Sequence, residues 1–302
     1  MGYRCGRISE INGPESSGKS TLASLISVNA QKQYPERAIL YVDVEQAYDL
    51  NYAVDLGLDI NEEHFILTQP DSGAEALDIV EKACQSGAFS LIVLDSIAAL
   101  RSPQEIAGEA GDSHMAVLAR LLGAPIKNIS TYAKKTDTAV VCINQIRSTM
   151  AMYGPSTTTP GGSAMKYYAS LRLELKQVDK IKKGADEIIG QIVRVKTIKN
   201  KVGMPYKTTE FNLIYGQGIS LLHEIVDVAL EKEVIKRAGA WYTYPIKNGE
   251  TLRCQGRDPI YDYYKTSQED LDYLHSLIKS SNQVAKDILE AEEPEAVDEI
   301  EF

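Results

Sequence analysis

The sequence lacks the marks of several protein classes before it shows any of its own. Its 302 residues include 4 cysteines, Cys5, Cys84, Cys142 and Cys254, scattered with no C-x-x-C pair. Zinc-ligand spacing and a disulfide framework are both missing, so reduced thiols are expected, with Cys142 a small core residue rather than a nucleophile. The 4 histidines form no H-E-x-x-H or comparable cluster, which removes the basis for a transition-metal hydrolase. No apolar run approaches the ~20 residues that cross a bilayer. Leu91 to Leu100 is interrupted by Asp95 and Ser96. The chain begins almost directly with a glycine-rich loop, leaving no room for a cleavable leader, so a cytoplasmic protein is expected. No internal repeat is visible.

What the sequence does contain is Gly13 to Ser20, G-P-E-S-S-G-K-S, which fits the pattern Gly, four residues, Gly-Lys-Ser/Thr at every defined position. Glycines permit a tight loop whose backbone N–H groups converge on phosphate oxygens. Lys19 then reaches the outer phosphates, and the Ser20 hydroxyl can ligate Mg²⁺. A short apolar segment from Arg7 to Asn12 precedes the loop, and Leu22, Leu25, Ile26 and Ala30 follow at helical spacing. Strand, glycine loop and helix are the expected order, with the helix dipole adding to the anion site.

Strand-like runs at Ala38 to Val44, His64 to Thr68, Phe89 to Leu94 and Thr138 to Asn144 alternate with helical patterns near Tyr48 to Leu56, Gly73 to Gln85 and Ser113 to Lys134. This predicts an α/β fold, a mostly parallel central sheet flanked by helices. After Ala169 the period becomes two, with Leu171, Leu173 and Leu175 against Arg172, Glu174 and Lys176, which predicts antiparallel strands extending the sheet. The boundaries predicted are a core over 1–218, a small C-terminal α/β domain over 219–289 and an acidic disordered tail over 290–302. In the C-terminal part, helices are expected over Leu221 to Lys232 and Gln268 to Ser280, with an aromatic strand from Trp241 to Ile246 between them.

Parallel sheets bind ligands at the C-terminal ends of their strands. Asp95 ends one strand, as an acid that binds Mg²⁺ would, with a helix N-cap as the alternative. Asp43 and Glu45 end another, where a carboxylate can orient and deprotonate an attacking water. Gln145 ends a third, followed by Arg147 and a loop rich in Ser, Thr, Gly and Pro to Ser163, so a switch that reads phosphate at the strand end is one reading and a turn cap the other. Composition alone would make that loop a linker. Its hydroxyls, the Gly161-Gly162 pair, Tyr153 and the flanking Arg147 and Lys166 suit a nucleic-acid backbone.

Net charge is −10, which argues against a polyanionic partner until its location is considered. Residues 290–302 hold seven acids and no base, whereas Lys176 to Lys201 has eight basic and three acidic residues. The middle of the chain is basic.

Together, G-P-E-S-S-G-K-S at 13–20, D-V-E at 43–45, L-I-V-L-D-S-I-A-A-L at 91–100, G-D-S-H-M at 111–115, I-N-Q-I-R at 143–147, T-T-T-P-G-G at 157–162, K-N-K at 199–201 and A-G-A-W-Y at 238–242 resemble the RecA recombinase family, bacterial or phage-encoded. The resemblance runs from about Gly6 to Tyr244. It implies an ATP-dependent recombination protein that binds single-stranded DNA as a helical filament, hydrolyses ATP in response to DNA, and pairs and exchanges strands with a homologous duplex. ATP and Mg²⁺ would be required, with ATP between subunits.

By that resemblance, Gly13, Pro14, Glu15, Ser16, Ser17, Gly18, Lys19, Ser20 and Thr21 cradle the nucleotide, and Asp49 and Tyr52 bind it as well, Tyr52 by stacking on adenine. Ser20 and Asp95 hold the metal, Glu45 is the catalytic base, Gln145 is the allosteric glutamine, and Lys199 and Lys201 reach the ATP of the neighbouring subunit. Gly108 and Gly111 fall in a first DNA-binding loop and Arg147, Tyr153, Gly161, Gly162 and Lys166 in a second, with Arg120 and Lys127 also near DNA. The family's N-terminal helix and strand, which dock on the next subunit, are expected to be missing, and the second loop to be about one residue shorter before Tyr153. A truncated subunit that caps or modulates filaments is therefore the alternative.

Overall fold

A computed structural model describes residues 6–101, 114–148, 157–183 and 187–291. Contacts divide the chain into two compact units, Met1–Ile219 and Ser220–Phe302.

In the larger unit the phosphate-loop segment folds as expected. Strand β1 (Ile8–Gly13) is buried along its whole length and leads through residues 14–18 into α1 (Lys19–Gln33). There follow β2 (Ala38–Asp43), α2 (Leu50–Asp55), β3 (Phe65–Thr68), α3 (Gly73–Ser86), β4 (Phe89–Asp95), α4 (His114–Thr136) and β5 (Ala139–Gln145). Local chemistry sets several ends. Asp49 caps α2 by accepting from Tyr52 N at 3.1 Å, which starts that helix two residues later than its pattern suggested. Ser72 accepts from Glu75 N, Glu75 answers by accepting from Asp71 N, and Gly87 at φ 70 closes α3 in the left-handed region.

Beyond β5, a two-residue strand β6 (Arg147–Ser148) pairs antiparallel with β7 (Thr157–Thr158), bringing the two ends of the intervening segment together. A short helix α5 (Ala164–Tyr168) then precedes β8 (Leu171–Lys183), β9 (Glu187–Asn200), β10 (Thr208–Ile214) and β11 (Gly218–Ile219). The nine-stranded sheet has the order β11-β10-β9-β8-β1-β5-β4-β2-β3. From β8 to β3 the neighbours are parallel, and from β8 to β11 antiparallel. One expectation needs correction here. The Leu171 strand was predicted to join the sheet antiparallel, yet it lies parallel to β1 and antiparallel only to β9, because alternation reports one buried face and not the direction of the neighbour.

Two cores cover the sheet. Ile8, Leu40, Ile92, Leu94 and Val140 pack with α3 and α4 on one face, and Ile11, Ile39, Tyr41, Val93 and Val141 pack with α1 and α2 on the other. Cys84 and Cys142 are buried in the first of these.

The smaller unit contains α6 (Leu221–Glu231), a three-stranded antiparallel sheet of β12 (Lys236–Ala238), β13 (Trp241–Pro245) and β14 (Thr251–Gln255), then α7 (Asp258–Thr266) and α8 (Gln268–Ala291). Its core is Ile225, Val226, Ile235, Tyr242, Tyr244, Ile260, Tyr264 and Leu274. Helix α8 runs past the Ser280 boundary expected from its pattern and includes the first two residues of the predicted tail. The remainder of that tail lies outside the described residues. No helix among the described residues is long and apolar enough to cross a membrane.

Candidate active site

The site is built where β1, β2, β4 and β5 end together. Register places Gly13 beside Gln145 and Asp43 beside Asp95, so four separate sequence segments arrive at one edge. The loop after β1 turns tightly. A Cβ on Gly13 would meet the Leu175 carbonyl oxygen at 2.5 Å, Ser16 has φ 57 and Gly18 has φ 84. Glycine is thus required at 13 by close approach and at 18 by backbone conformation.

Inside the loop, the Ser17 hydroxyl and the Lys19 amine both donate to the Pro14 carbonyl, at 2.8 and 2.6 Å. Lys19 is buried, and desolvation lowers its pKa against the pull of Asp95, Glu45 and Glu15. A buried cation at the N-terminus of a 15-residue helix forms an anion-binding corner, with Asp95, Glu45 and Glu15 near enough to favour the charged form of Lys19.

Asp95 is 8% exposed, and its Oδ2 accepts from Ser20 Oγ at 2.9 Å and from Tyr41 Oη at 2.8 Å. Burial pushes its carboxyl up to about 6, the two hydroxyls oppose that shift, and the neighbouring Glu45 and Asp43 add to it. Asp43 serves structure, its Oδ2 accepting from Tyr48 N and Gln69 Nε2, both at 3.0 Å. Glu45 is the exposed carboxylate of the pair and accepts from Ser96 Oγ and, at 3.1 Å, from Gln145 Nε2. Glu45, Asp95 and Gln145 therefore share one neighbourhood with Lys19.

Behind Gln145 lies a buried polar row that sequence reading missed. Glu10, fully buried, forms an ion pair with Arg172 and accepts from Asn144 Nδ2 at 2.8 Å. The same amide donates to the Pro160 carbonyl at 3.1 Å, and Asn144 Oδ1 accepts from Gln145 N. No local spacing marks these residues, because they meet only through strand pairing.

A cleft of about 350 Å³ opens over the loop, lined by Gly18, Lys19, Thr21 and Tyr52 together with Gln191, Leu213 and Tyr215. The last three were not foreseen. Gln191 also donates to the Ser16 carbonyl at 2.9 Å. Tyr52 Oη is 3.5 Å from Thr21 Oγ1, while Asp49 spends its side chain on the α2 cap. A larger hollow of about 570 Å³ adjoins the other side of Glu45, between Gln46, Pro70, Ser72 and Arg101. Of the two, the smaller cleft is the one walled by the loop backbone and Lys19.

Lys199 and Lys201 sit apart from this cleft, on carbonyls at the C-terminal end of α5, Lys199 on Lys166 and Tyr167 and Lys201 on Tyr167. Desolvation, then the Lys201 and Arg172 charges, lowers the Lys199 pKa. Gly161 at φ 94 is buried, and a Cβ there would come within 2.7 Å of Leu122. Gly162 at φ 64 packs on Ala119 in the same way, so both glycines are explained by packing on α4. Lys127, Arg120 and Lys166 are exposed. Arg147 is placed in β6, while Gly108, Gly111 and Tyr153 lie outside the described residues.

Comparison with known proteins supplies the identity. Family models for the RecA N-terminal domain and the RecA C-terminal domain match residues 1–220 and 223–283. "Protein RecA" of Macrococcus caseolyticus is 43% identical over 291 residues, covering 96% of this chain and 80% of the relative. That of Lactobacillus johnsonii is 41% identical over 298 residues, covering 98% and 80%. A crystal structure of the RadB recombinase matches in fold, with TM-score 0.53 and 21% identity over 72% of this chain and 91% of that one. The chain belongs to the RecA family, and with it to the recombinases driven by a DNA-dependent, P-loop ATPase.

Proposed function

We propose that this recombinase binds ATP with Mg²⁺ in the Lys19 cleft, polymerises on single-stranded DNA with each nucleotide at a seam between copies, and uses hydrolysis to reset its hold on DNA. The donor set fits the metal. Ser20 and Asp95 offer hydroxyl and carboxylate oxygens, and one carboxylate with substrate phosphates and water is a usual Mg²⁺ environment. Mg²⁺ bound there would offset the cost of ionising buried Asp95 and draw charge from the phosphates.

The loop amides, Lys19 and the α1 N-terminus hold the phosphates, with Tyr52 and Tyr215 beside the base. Glu45 holds the attacking water and takes its proton. Lys199 and Lys201 act on the nucleotide of the adjacent copy, which suits their distance from the Lys19 cleft of their own chain. Arg147, Lys166, Arg120 and Lys127 contact the DNA backbone, together with the Gly108 to Gly111 and Tyr153 regions. Such contacts give a steep salt dependence.

One observation carries this reading. The Gln145 amide donates to Glu45 at the hydrolytic centre, and the strand it ends runs directly into β6 and the second DNA loop. An amide that can turn from Glu45 to a γ phosphate shifts the following ribbon with it. Gln145→Ala is expected to keep nucleotide affinity and lose stimulation of ATPase activity by single-stranded DNA, measured with electron microscopy of filaments in parallel. Full stimulation in that variant sinks the reading.

A further inference from the structure

Asp95, the carboxylate assigned to the metal, is gripped by two hydroxyls arriving from different elements. Ser20 Oγ comes from the first turn of α1 at 2.9 Å and Tyr41 Oη from β2 at 2.8 Å, both onto Oδ2. Tyr41 is fully buried, and its ring centroid lies 3.9 Å from that of Tyr48 and 6.4 Å from that of Phe65. Tyr48 Oη is 3.0 Å from Ser24 Oγ, and Ser24 in turn donates to the Ser20 carbonyl at 3.0 Å. The contacts close a ring. They run from the carboxylate through two tyrosines and a serine back to the residue that supplies the hydroxyl ligand.

Packing accounts for the aromatic ring at 41 but not for its hydroxyl, since phenylalanine would fill the same core. We propose that Tyr41 is a positioning residue for the divalent cation: its hydroxyl holds Oδ2 and so sets the orientation in which Asp95 meets the metal. Partners that orient a ligating carboxylate commonly change metal affinity by about 10- to 100-fold when removed, without touching the metal themselves. This proposal rests on the metal reading given above.

The test is binding of a fluorescent non-hydrolysable ATP analogue to the full chain, titrated with Mg²⁺ and repeated in EDTA, for wild type, Tyr41→Phe, Tyr48→Phe and Asp95→Asn. Tyr41→Phe is expected to raise the Mg²⁺ midpoint about tenfold and leave the EDTA affinity unchanged. Tyr48→Phe loses only the bond to Ser24 and is expected to keep the wild-type midpoint. An unshifted midpoint in Tyr41→Phe overturns the proposal, as does an equal shift in both tyrosine variants, which would mean loosened packing. Asp95→Asn separates the two levels. Its loss of Mg²⁺ dependence supports the metal site, so that an unmoved Tyr41→Phe then sinks this inference alone. A wild-type midpoint in Asp95→Asn sinks both.

Discussion

The unit ending at Ile219 buries Glu10, Lys19, Asp43, Asp95 and Arg172, whereas every buried residue described in the unit that follows is apolar or tyrosine. Burying a charge is costly unless it is paired or given a task. The pairs Arg172–Glu10 and Arg257–Asp227 show the contrast directly: the first has side chains 10% and 0% exposed, the second 45% and 39%. What distinguishes the units is therefore where desolvation has been accepted, and in the larger one it falls within the paired strands β1 and β8, at the ends of β2 and β4 and at the start of α1. Among these positions, the end of β4 and the start of α1 carry residues proposed above to bind metal and nucleotide. Among its described residues, the smaller unit keeps its ions in water and packs its core from aliphatic and tyrosine side chains.

The largest expected effect breaks function and spares the fold. Glu45→Gln is expected to lower ATP hydrolysis by about 10²- to 10⁴-fold with nucleotide affinity retained, as removal of a general base does. Asp227→Asn in the smaller unit is expected to leave the rate unchanged, and steady-state assays compare the two. Next comes stability. Arg172→Met strands a buried Glu10 carboxylate and is expected to cost about 3–5 kcal/mol, read from urea denaturation. Arg257→Met is the matched exposed case, expected to cost no more than about 1 kcal/mol. Equal losses would erase the contrast.

Asp95 gives a pH-dependent version. Its folded-state pKa, about 6, stands above the ordinary carboxylate value, so the protonated form favours folding fully below about pH 4 and that contribution is lost as pH rises through about 6. Asp95→Asn should then stabilise the nucleotide-free protein by about 2–3 kcal/mol at pH 7.5 and by almost nothing at pH 4. A gain independent of pH counts against burial as the cause.

Legibility in the sequence followed distance along the chain. The loop from Gly13 to Ser20 was readable because its glycines, lysine and serine act within eight residues of one another, and β4 and β5 because unbroken aliphatics suit strands buried on both faces. Asp95, Glu45 and Gln145 were readable as strand ends. By contrast, Gln191 and Leu213 enter the cleft from strands, and Tyr215 from the turn after β10, that only the folded sheet brings near. Glu10 and Tyr41 carry no local signal, since their partners Asn144 and Asp95 lie far away in sequence. Strands β12 and β14 and helix α7 escaped because exposed Lys236, Arg253 and Asp258 obscure their short apolar patterns.

The central place of β1 bears on how the chain is made. Glu10 reaches Asn144 across 134 residues and Arg172 across 162 residues, so the strand that carries the phosphate loop leaves the ribosome long before its two neighbours exist. Non-local pairing of this kind is slow, while the antiparallel pairing of β8 with β9 joins residues close together in the chain, such as Lys183 and Glu187. During synthesis the glycine loop is thus translated well before the strands that support it, and the onset of nucleotide affinity on stalled nascent chains would time the closing of the sheet.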